Sequence, residues 1–177
     1  ADQPQMLHRI EATGGRGQTL GACTRLGGPM PDLQTLADRL EIEDVLTRYA
    51  WALDAKHFDE LDDVFTPDAH VDYTSSGGEA GAYPDVKAWL AKVLPHFPAY
   101  QHLVTNKQIT IDGDRATSRS EFYNPMVMAQ RDGTTSIFFV GGEYHDELVR
   151  TPNGWRITNR LEKSIWTDGA VPQVPPG

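Results

Sequence analysis

The chain has 177 residues, of which 39% are hydrophobic, and carries a formal net charge of −9 at neutral pH. This length is typical of one domain with a buried core. The acidic balance argues against a nucleic-acid or membrane partner, and no apolar run is long enough to span a bilayer. Cys23 is the only cysteine, so the chain forms no internal disulfide, which is consistent with a reducing, cytoplasmic location.

The two ends of the chain differ in composition from its middle. Residues 1–29 are rich in glycine and show no sustained periodicity, so we interpret them as an N-terminal extension. They lack the basic segment followed by an apolar segment that marks a secretory signal. Residues 169–177 are rich in proline and predict an extended C-terminal tail. The folded domain is therefore expected at residues 30–168.

The first half of this domain is predicted to be mainly helical. Asp32 is a good N-cap, and apolar residues at helical spacing between Leu36 and Leu53 predict an amphipathic helix over residues 33–54. We expect Thr66-Pro67-Asp68 to break the chain before a short strand. The other predicted elements are helices at 58–64 and 85–93, the strand at 69–73, and a Gly- and Ser-rich loop at 74–82 that suits the mouth of a pocket.

The second half is predicted to form long strands, at residues 101–111, 115–128, 135–150 and 155–166. Asp-Gly and Asn-Gly pairs mark turns between them, and Gly141-Gly142 indicates a bulge within a strand. Helices followed by such a meander indicate an α+β fold. We expect a cone-shaped, curved antiparallel or mixed sheet that the N-terminal helices close on one side, with a pocket inside.

Asp54 and His102 are candidates for an acid–base pair. Asp54 ends the first helix, where the helix dipole disfavours an anion, and a carboxylate near an apolar stripe needs a partner. His102 shares a strand face of mixed polarity with Asn106, as a pocket wall would. A carboxylate bound to one imidazole nitrogen leaves the other to accept a proton. Taken singly, each residue also fits a structural role, as a solvent-facing helix end and as a hydrogen-bonded strand histidine.

Four further side chains could complete such a site. The phenols of Tyr49 and Tyr73 can donate hydrogen bonds to an enolate oxygen, although each is also an ordinary core aromatic. Arg160 can bind an anionic group bidentately or form a surface ion pair. Glu143 lies on a strand and can point into the pocket. The histidines and aspartates show no metal-ligand spacing, so no metal site is expected.

The chain resembles the SnoaL-like branch of the nuclear transport factor 2-like superfamily, which includes bile-acid 7α-dehydratase and scytalone dehydratase. The resemblance spans residues 33–166 and rests on the runs Leu40-Glu-Ile-Glu-Asp-Val-Leu-Thr-Arg-Tyr-Ala-Trp-Ala-Leu-Asp54, Phe65-Thr-Pro-Asp68, Val71-Asp-Tyr73, Gln101-His102, Gly142-Glu-Tyr-His-Asp146 and Gly154-Trp-Arg156. It implies the cone-shaped fold, a pocket that needs no cofactor, and a homo-oligomer, either a dimer or a trimer.

The resemblance also implies roles for individual residues. Tyr49, Asp54, Tyr73 and His102 match, in order, the catalytic positions of bile-acid 7α-dehydratase, and Arg160 matches its late-strand arginine. A second catalytic histidine of scytalone dehydratase falls near Glu143 in this sequence. Arg160, Glu143 and Asn106 are therefore expected to bind substrate.

The predicted function is a cofactor-independent lyase or isomerase, similar to a dehydratase, that acts on a small hydrophobic hydroxy-ketone containing fused or aromatic rings. Two alternatives stay open. The same pocket could catalyse an aldol cyclisation, as polyketide cyclases do, or a hydration. The protein could instead be a non-catalytic ligand-binding or assembly module, like the small subunit of ring-hydroxylating dioxygenases. A module would hold Asp54 and His102 too far apart to hydrogen-bond, or would fill the pocket with core side chains.

Overall fold

The structure is a computed structural model that describes residues 32–169. The predicted N-terminal extension and Cys23 lie outside the described residues, as does the predicted C-terminal tail apart from Gly169. Within the described range, none of the helices combines the length and the apolar character needed to cross a membrane.

The described chain contains two α-helices, three short 3₁₀ helices and seven strands. The α-helices are α1 (Leu33–Asp54) and α2 (Tyr83–Val93), and the 3₁₀ helices are Phe58–Asp63, Thr74–Ser76 and Leu94–His96. The strands are β1 (Phe65–Asp72), β2 (Ala80–Ala82), β3 (Ala99–Tyr100), β4 (Leu103–Asp112), β5 (Arg115–Ala129), β6 (Thr135–Thr151) and β7 (Gly154–Asp168). Helix α1 has the predicted bounds, because the Asp32 carboxylate accepts a hydrogen bond from the Thr35 backbone N–H at 2.7 Å.

The strands form one curved, unclosed sheet in the order β2-β1-β7-β6-β5-β3, and β4 also pairs with β5. Strand β1 runs parallel to β7, while the other pairs are antiparallel. The sheet is therefore mixed, and the predicted α+β cone is confirmed. Strand β5 shows how the cone is filled, because alternate residues from Ala116 to Met126 are buried and those between them point outward.

Two irregularities in the strands concern predicted breaks. Strand β1 begins at Phe65, earlier than predicted, and runs through Pro67. Its pairing with β7 shifts register between Phe65 and His70, so the proline lies where the ladder is already interrupted. The bulge predicted at Gly141-Gly142 is confirmed by a register shift between β6 and β7. A Cβ atom on Gly141 would overlap the Trp166 ring, which explains the glycine there.

The buried face of α1 differs from the predicted one near its start. Leu36 and Leu40, on the predicted apolar face, are 38% and 69% exposed, whereas the charged residue Asp38 is buried. The Asp38 carboxylate accepts hydrogen bonds from Arg150 Nη2 at 2.6 Å and Trp155 Nε1 at 3.3 Å. Charged and polar partners from β6 and β7 thus turn this residue inward. From Ile42 onward, the helix buries apolar side chains as expected.

Candidate active site

A cavity of about 320 Å³ opens inside the cone. Its wall is mainly apolar, and part of its edge is formed by Ser76, Gly77 and Gly78 from the loop that was predicted to form a mouth. The apolar wall comes from Leu53, Trp89, Leu90, Val93, Leu94, Phe97, Phe122, Met126, Phe138 and Val140. The polar side chains that reach this cavity are few and come from separate elements, as in a small-molecule site.

Asp54 and His102 lie in direct contact at this cavity. The Asp54 carboxylate accepts a hydrogen bond from the His102 ring at Nδ1, with Oδ1 and Nδ1 2.7 Å apart. It also accepts the His102 backbone N–H, at 3.0 Å and 2.9 Å to its two oxygens. These bonds offset the unfavourable position of an anion at the end of α1. They also place the ring proton on Nδ1, so Nε2 carries the lone pair that can accept a proton.

Asn124 occupies the other ring nitrogen of His102. Its side-chain Nδ2 donates toward His102 Nε2 at 2.9 Å, and both residues line the cavity. The Asn124 Oδ1 atom is buried and has no hydrogen-bond partner within residues 32–169. A ligand that takes Nε2 must therefore displace this amide, and Asn124 Oδ1 can accept a hydrogen bond from it.

Tyr49 and Tyr73 form a hydrogen-bonded pair of phenols on the cavity wall. Their hydroxyl oxygens are 2.8 Å apart, and both side chains are buried. One phenol donates to the other, so the acceptor keeps its own O–H available for a ligand. Burial raises the pKa of both phenols well above the usual value, and both remain neutral donors near pH 7.

Arg160 lies beneath this pair and does not line the cavity. Its guanidinium donates to Asp146 at 2.7 Å and 2.9 Å, and both side chains are fully buried. The guanidinium carbon lies 3.9 Å from the Tyr49 ring centroid and 4.3 Å from that of Tyr144. Arg160 therefore packs against the aromatic wall, where its charge opposes the rise in the pKa of Tyr49 that burial causes.

Glu143 and Asn106 lie away from the cavity, in contrast to the expected substrate contact. Glu143 accepts a hydrogen bond from Arg119 Nε at 2.9 Å and contacts His145 Nε2 at 2.8 Å. Hydrogen bonds from Arg119 and His145 lower the pKa of Glu143 to about 2. Asn106 is exposed at an irregularity of β4 and donates to Glu121 at 2.5 Å. Neither residue enters the site that we propose.

Glu162 is a cavity residue that was not among the predicted site residues. It is 7% exposed on β7, lines the cavity, and its Oε1 atom has no hydrogen-bond partner within the described range. Burial raises the pKa of Glu162 to about 7. The sequence signal that could have identified Glu162 is its spacing of two residues from Arg160, because this spacing places both side chains on the inward face of β7. Asn124 follows the same rule on β5.

Residues 34–161 match the SnoaL-like domain family. The chain belongs to the SnoaL-like family. It is 46% identical over 140 residues to Uncharacterized protein Rv2910c of Mycobacterium tuberculosis, an alignment that covers 79% of this chain and 94% of that protein. The match to the SnoaL-like domain family covers most of the described residues, including Asp54, His102 and Asn124.

Solved structures agree with this family. The Kfla4162 protein from Kribbella flavida is 30% identical with a TM-score of 0.70, covering 76% of this chain and 95% of that one. Two more distant structures show the same fold. Hexachlorocyclohexane dehydrochlorinase LinA-type3 from Novosphingobium barchaimii has 18% identity, a TM-score of 0.65, and coverage of 82% and 100%. A nuclear transport factor 2-like superfamily protein from Salmonella enterica has 19% identity, a TM-score of 0.61, and coverage of 81% and 99%.

Proposed function

We propose that the SnoaL-like protein is a cofactor-independent lyase or isomerase that acts on a ringed hydroxy-ketone. The observation that carries this proposal is the His102 ring, held by Asp54 through Nδ1 at 2.7 Å, with Nε2 at the wall of an apolar cavity. An imidazole oriented in this way can act as a general base toward a bound ligand.

The reaction would begin with removal of a proton next to the ketone. His102 Nε2 takes the proton once the substrate displaces the Asn124 amide. The developing enolate oxygen accepts a hydrogen bond from the Tyr49–Tyr73 phenol pair, and loss of a hydroxyl group then forms the carbon–carbon double bond. Base catalysis supplies about 10²–10⁴-fold and an oriented oxyanion donor about 10²–10³-fold.

The cavity volume favours a small ring system. A volume of about 320 Å³ lies at the lower end of the range of roughly 300–1,000 Å³ for ligand pockets. We therefore expect a substrate with a single ring or two fused rings rather than a four-ring sterol. This wall offers hydrogen bonds but no unpaired cation among its described side chains, since Arg160 is committed to Asp146. A neutral substrate fits it better than an anionic one.

The contact between Asp54 and His102 and the unfilled cavity favour an enzyme over a non-catalytic module. A module would have no need to hold the imidazole in one tautomer. Several neighbours of the same fold differ in chemistry, so family membership alone does not select the reaction. A dehydrochlorinase with this fold eliminates a group from a ring compound, which is the type of step proposed for this chain.

The test uses a β-hydroxytetralone, a bicyclic hydroxy-ketone that forms a fluorescent naphthol when it loses water. We expect His102→Ala to lower kcat/KM by about 10²–10⁴-fold. His96→Ala removes an exposed histidine outside the cavity and should leave kcat/KM unchanged. Equal activity of His102→Ala and the unmodified protein would refute the acid–base function. Cyclisation of a linear polyketone, without loss of water from the tetralone, would favour the cyclase reaction instead.

We also propose that the protein forms a homo-oligomer through the outer face of its sheet. Tyr123, Ile137 and Trp166 are 41%, 51% and 45% exposed there, and Tyr123 stacks on Phe139 with centroids 5.8 Å apart. A group of exposed aromatic side chains is typical of an interface. Trp166→Ser should shift the sedimentation coefficient toward that of a monomer, while an unchanged coefficient would contradict this interface.

A further inference from the structure

Glu162 is a buried carboxyl group that the proposed reaction does not yet use. Its side chain lines the cavity, while its backbone carbonyl accepts the Ser75 hydroxyl at 2.9 Å. Its Oε1 atom is buried without a partner within residues 32–169. An unpaired buried oxygen costs about 1–3 kcal/mol. Such a position is typical of a group that completes its hydrogen bonding with a ligand.

The charges around Glu162 allow a proton to be present at neutral pH. Burial raises the pKa of Glu162 to about 7. The Asp72 charge acts in the same direction, while the Ser76 hydroxyl, the Arg160 charge and the Ser75 hydroxyl act against it. The other titratable groups that face it are the buried phenols of Tyr49, Tyr73 and Tyr144. Because these phenols are neutral near pH 7, the charges that act on the Glu162 carboxyl group within residues 32–169 come from Asp72 and Arg160.

Glu162 and His102 approach the cavity from different sides. Glu162 on β7 pairs with Tyr144, and Asn124, which contacts His102, pairs with Val140 four residues away on the same strand, β6. The backbones of Glu162 and Asn124 are thus two strand spacings of about 4.8 Å and four residues of about 3.3 Å apart. This corresponds to roughly 16 Å in a flat sheet, and the curvature of the sheet shortens the distance. Both side chains extend into the cavity, so a ring can lie between them.

We propose that Glu162 is the general acid of this site and that it donates a proton to the departing hydroxyl group while His102 removes the proton on carbon. This inference rests on the proposed lyase function. It narrows the substrate class, because the substrate must present an acidic C–H to His102 and a hydroxyl group to Glu162. A neutral β-hydroxy ketone on a fused ring meets both requirements.

The step balances without a further reactant. The C–H bond breaks as His102 Nε2 binds the proton, and its electron pair forms the enolate and then the carbon–carbon double bond. The C–O bond breaks with its electron pair on oxygen, which takes the Glu162 proton and leaves as water. The products are an enone and water. One proton must then pass from the His102 imidazolium to the Glu162 carboxylate to restore the site.

The return proton has to leave His102 from Nε2. Loss of the Nδ1 proton to Asp54 would leave a proton on Nε2 and no base facing the substrate. His102 and Glu162 both line the main cavity, so water that replaces the product there can carry the proton from Nε2 to the Glu162 carboxylate.

The test compares Glu162→Gln, which keeps the shape but has no acidic proton, with Glu147→Gln, a matched change at an exposed position of β6. With the β-hydroxytetralone, Glu162→Gln should lower kcat by at least about 10²-fold with little change in KM. We also expect kcat of the unmodified protein to decline above about pH 7, and Glu162→Gln should remove this decline. Glu147→Gln should retain both kcat and the pH profile. An unchanged kcat and pH profile in Glu162→Gln would overturn the inference.

The outcomes separate this inference from the proposed function. Loss of activity in His102→Ala with full activity in Glu162→Gln would retain the lyase and remove Glu162 from it. If the unmodified protein does not convert the tetralone, the contact between Glu162 and the ligand is tested through naphthol binding. Binding is measured from the fluorescence of Trp89, which lines the cavity. Loss of this signal in Trp89→Phe identifies the reporter. Glu162→Leu should then weaken naphthol binding about fivefold, as one hydrogen bond predicts, and an equal Kd would overturn the contact.

Discussion

Replacement of Asp54 by asparagine tests the central contact of the site. The substitution keeps the shape of the side chain but removes its charge, so the backbone N–H of His102 loses a charge-assisted partner at 2.9 Å. Hydrogen bonds to a charged group contribute about 1.5–3 kcal/mol. Removal of an anion from the C-terminal end of α1 restores about 0.3–1 kcal/mol. We therefore expect a net loss of about 1–2 kcal/mol in the free energy of unfolding.

The effect on activity should be larger than the effect on stability. An asparagine can bind Nδ1 through its N–H group, which moves the ring proton of His102 to Nε2 and removes the lone pair that faces the cavity. The base is then lost although the ring stays in place. We expect kcat to fall by about 10²–10⁴-fold with the tetralone, at a protein concentration and temperature where the variant is fully folded.

Three measurements check this expectation. Urea unfolding gives the change in stability, nitrogen NMR of the imidazole reports its tautomer, and naphthol formation gives kcat. Asp44→Asn is the matched control, because Asp44 is exposed on the same helix and pairs with Arg48 at 2.9 Å. It should change the unfolding free energy by at most about 1 kcal/mol. Unaltered kcat in Asp54→Asn, or a ring proton that remains on Nδ1 with activity lost, would refute the reasoning.

Three further predictions concern the charges around the site. Asp146→Asn should lower the unfolding free energy by about 3–5 kcal/mol in urea, because it leaves the Arg160 charge buried and unpaired. Asn124→Asp should abolish activity near pH 7, since a second carboxylate beside His102 Nε2 holds a proton there; NMR titration should show a raised imidazole pKa. Glu162→Gln should reduce the dependence of stability on pH. The pKa of Glu162 is about 7 in the folded protein and 4.5 in the unfolded chain, so the protonated carboxyl group stabilises the fold fully below about pH 4.5. This contribution of roughly 3 kcal/mol is lost as the pH rises through about 7. The last prediction would be contradicted if the difference in urea midpoint between the unmodified protein and Glu162→Gln were the same at pH 4.5 and pH 8.

Local sequence signals predicted α1 and the four long strands because both patterns are short-range. The N-cap at Asp32 fixes the start of α1, and turn residues separate the strands. The strand Ala80–Ala82 was not predicted, since a three-residue run of Ala and Gly has no periodicity to detect. The parallel pairing of β1 with β7 was not predicted either. Residues that pair in this way are about ninety positions apart, and only the assembled sheet brings them together.

The site was predicted less completely than the fold. Residue types and the family resemblance indicated Asp54, His102, Tyr49 and Tyr73, which the structure places on one cavity wall or beside it. The direction of a strand side chain depends on register, and the shift at Gly141-Gly142 removed that information for Glu143. Arg160 does point inward, but its guanidinium pairs through Nε and Nη2 with a buried carboxylate on the neighbouring strand. No pattern within one strand can report such a partner.

The distribution of unpaired polar atoms connects the fold to the chemistry. Asp146 and Arg160 are fully buried and pair with each other, so neither charge is left unpaired, although Arg160 Nη1 has no hydrogen-bond partner among the described residues. Asn124 and Glu162 line the cavity, and their Oδ1 and Oε1 atoms are buried and lack partners among the described residues. Each costs about 1–3 kcal/mol, so a ligand that supplies a donor to both should bind partly by removing this cost. A ring that carries hydroxyl groups at two separated positions should therefore raise the melting temperature more than an unsubstituted ring of the same size, and an equal effect of both compounds would show that the two oxygens do not contact the ligand.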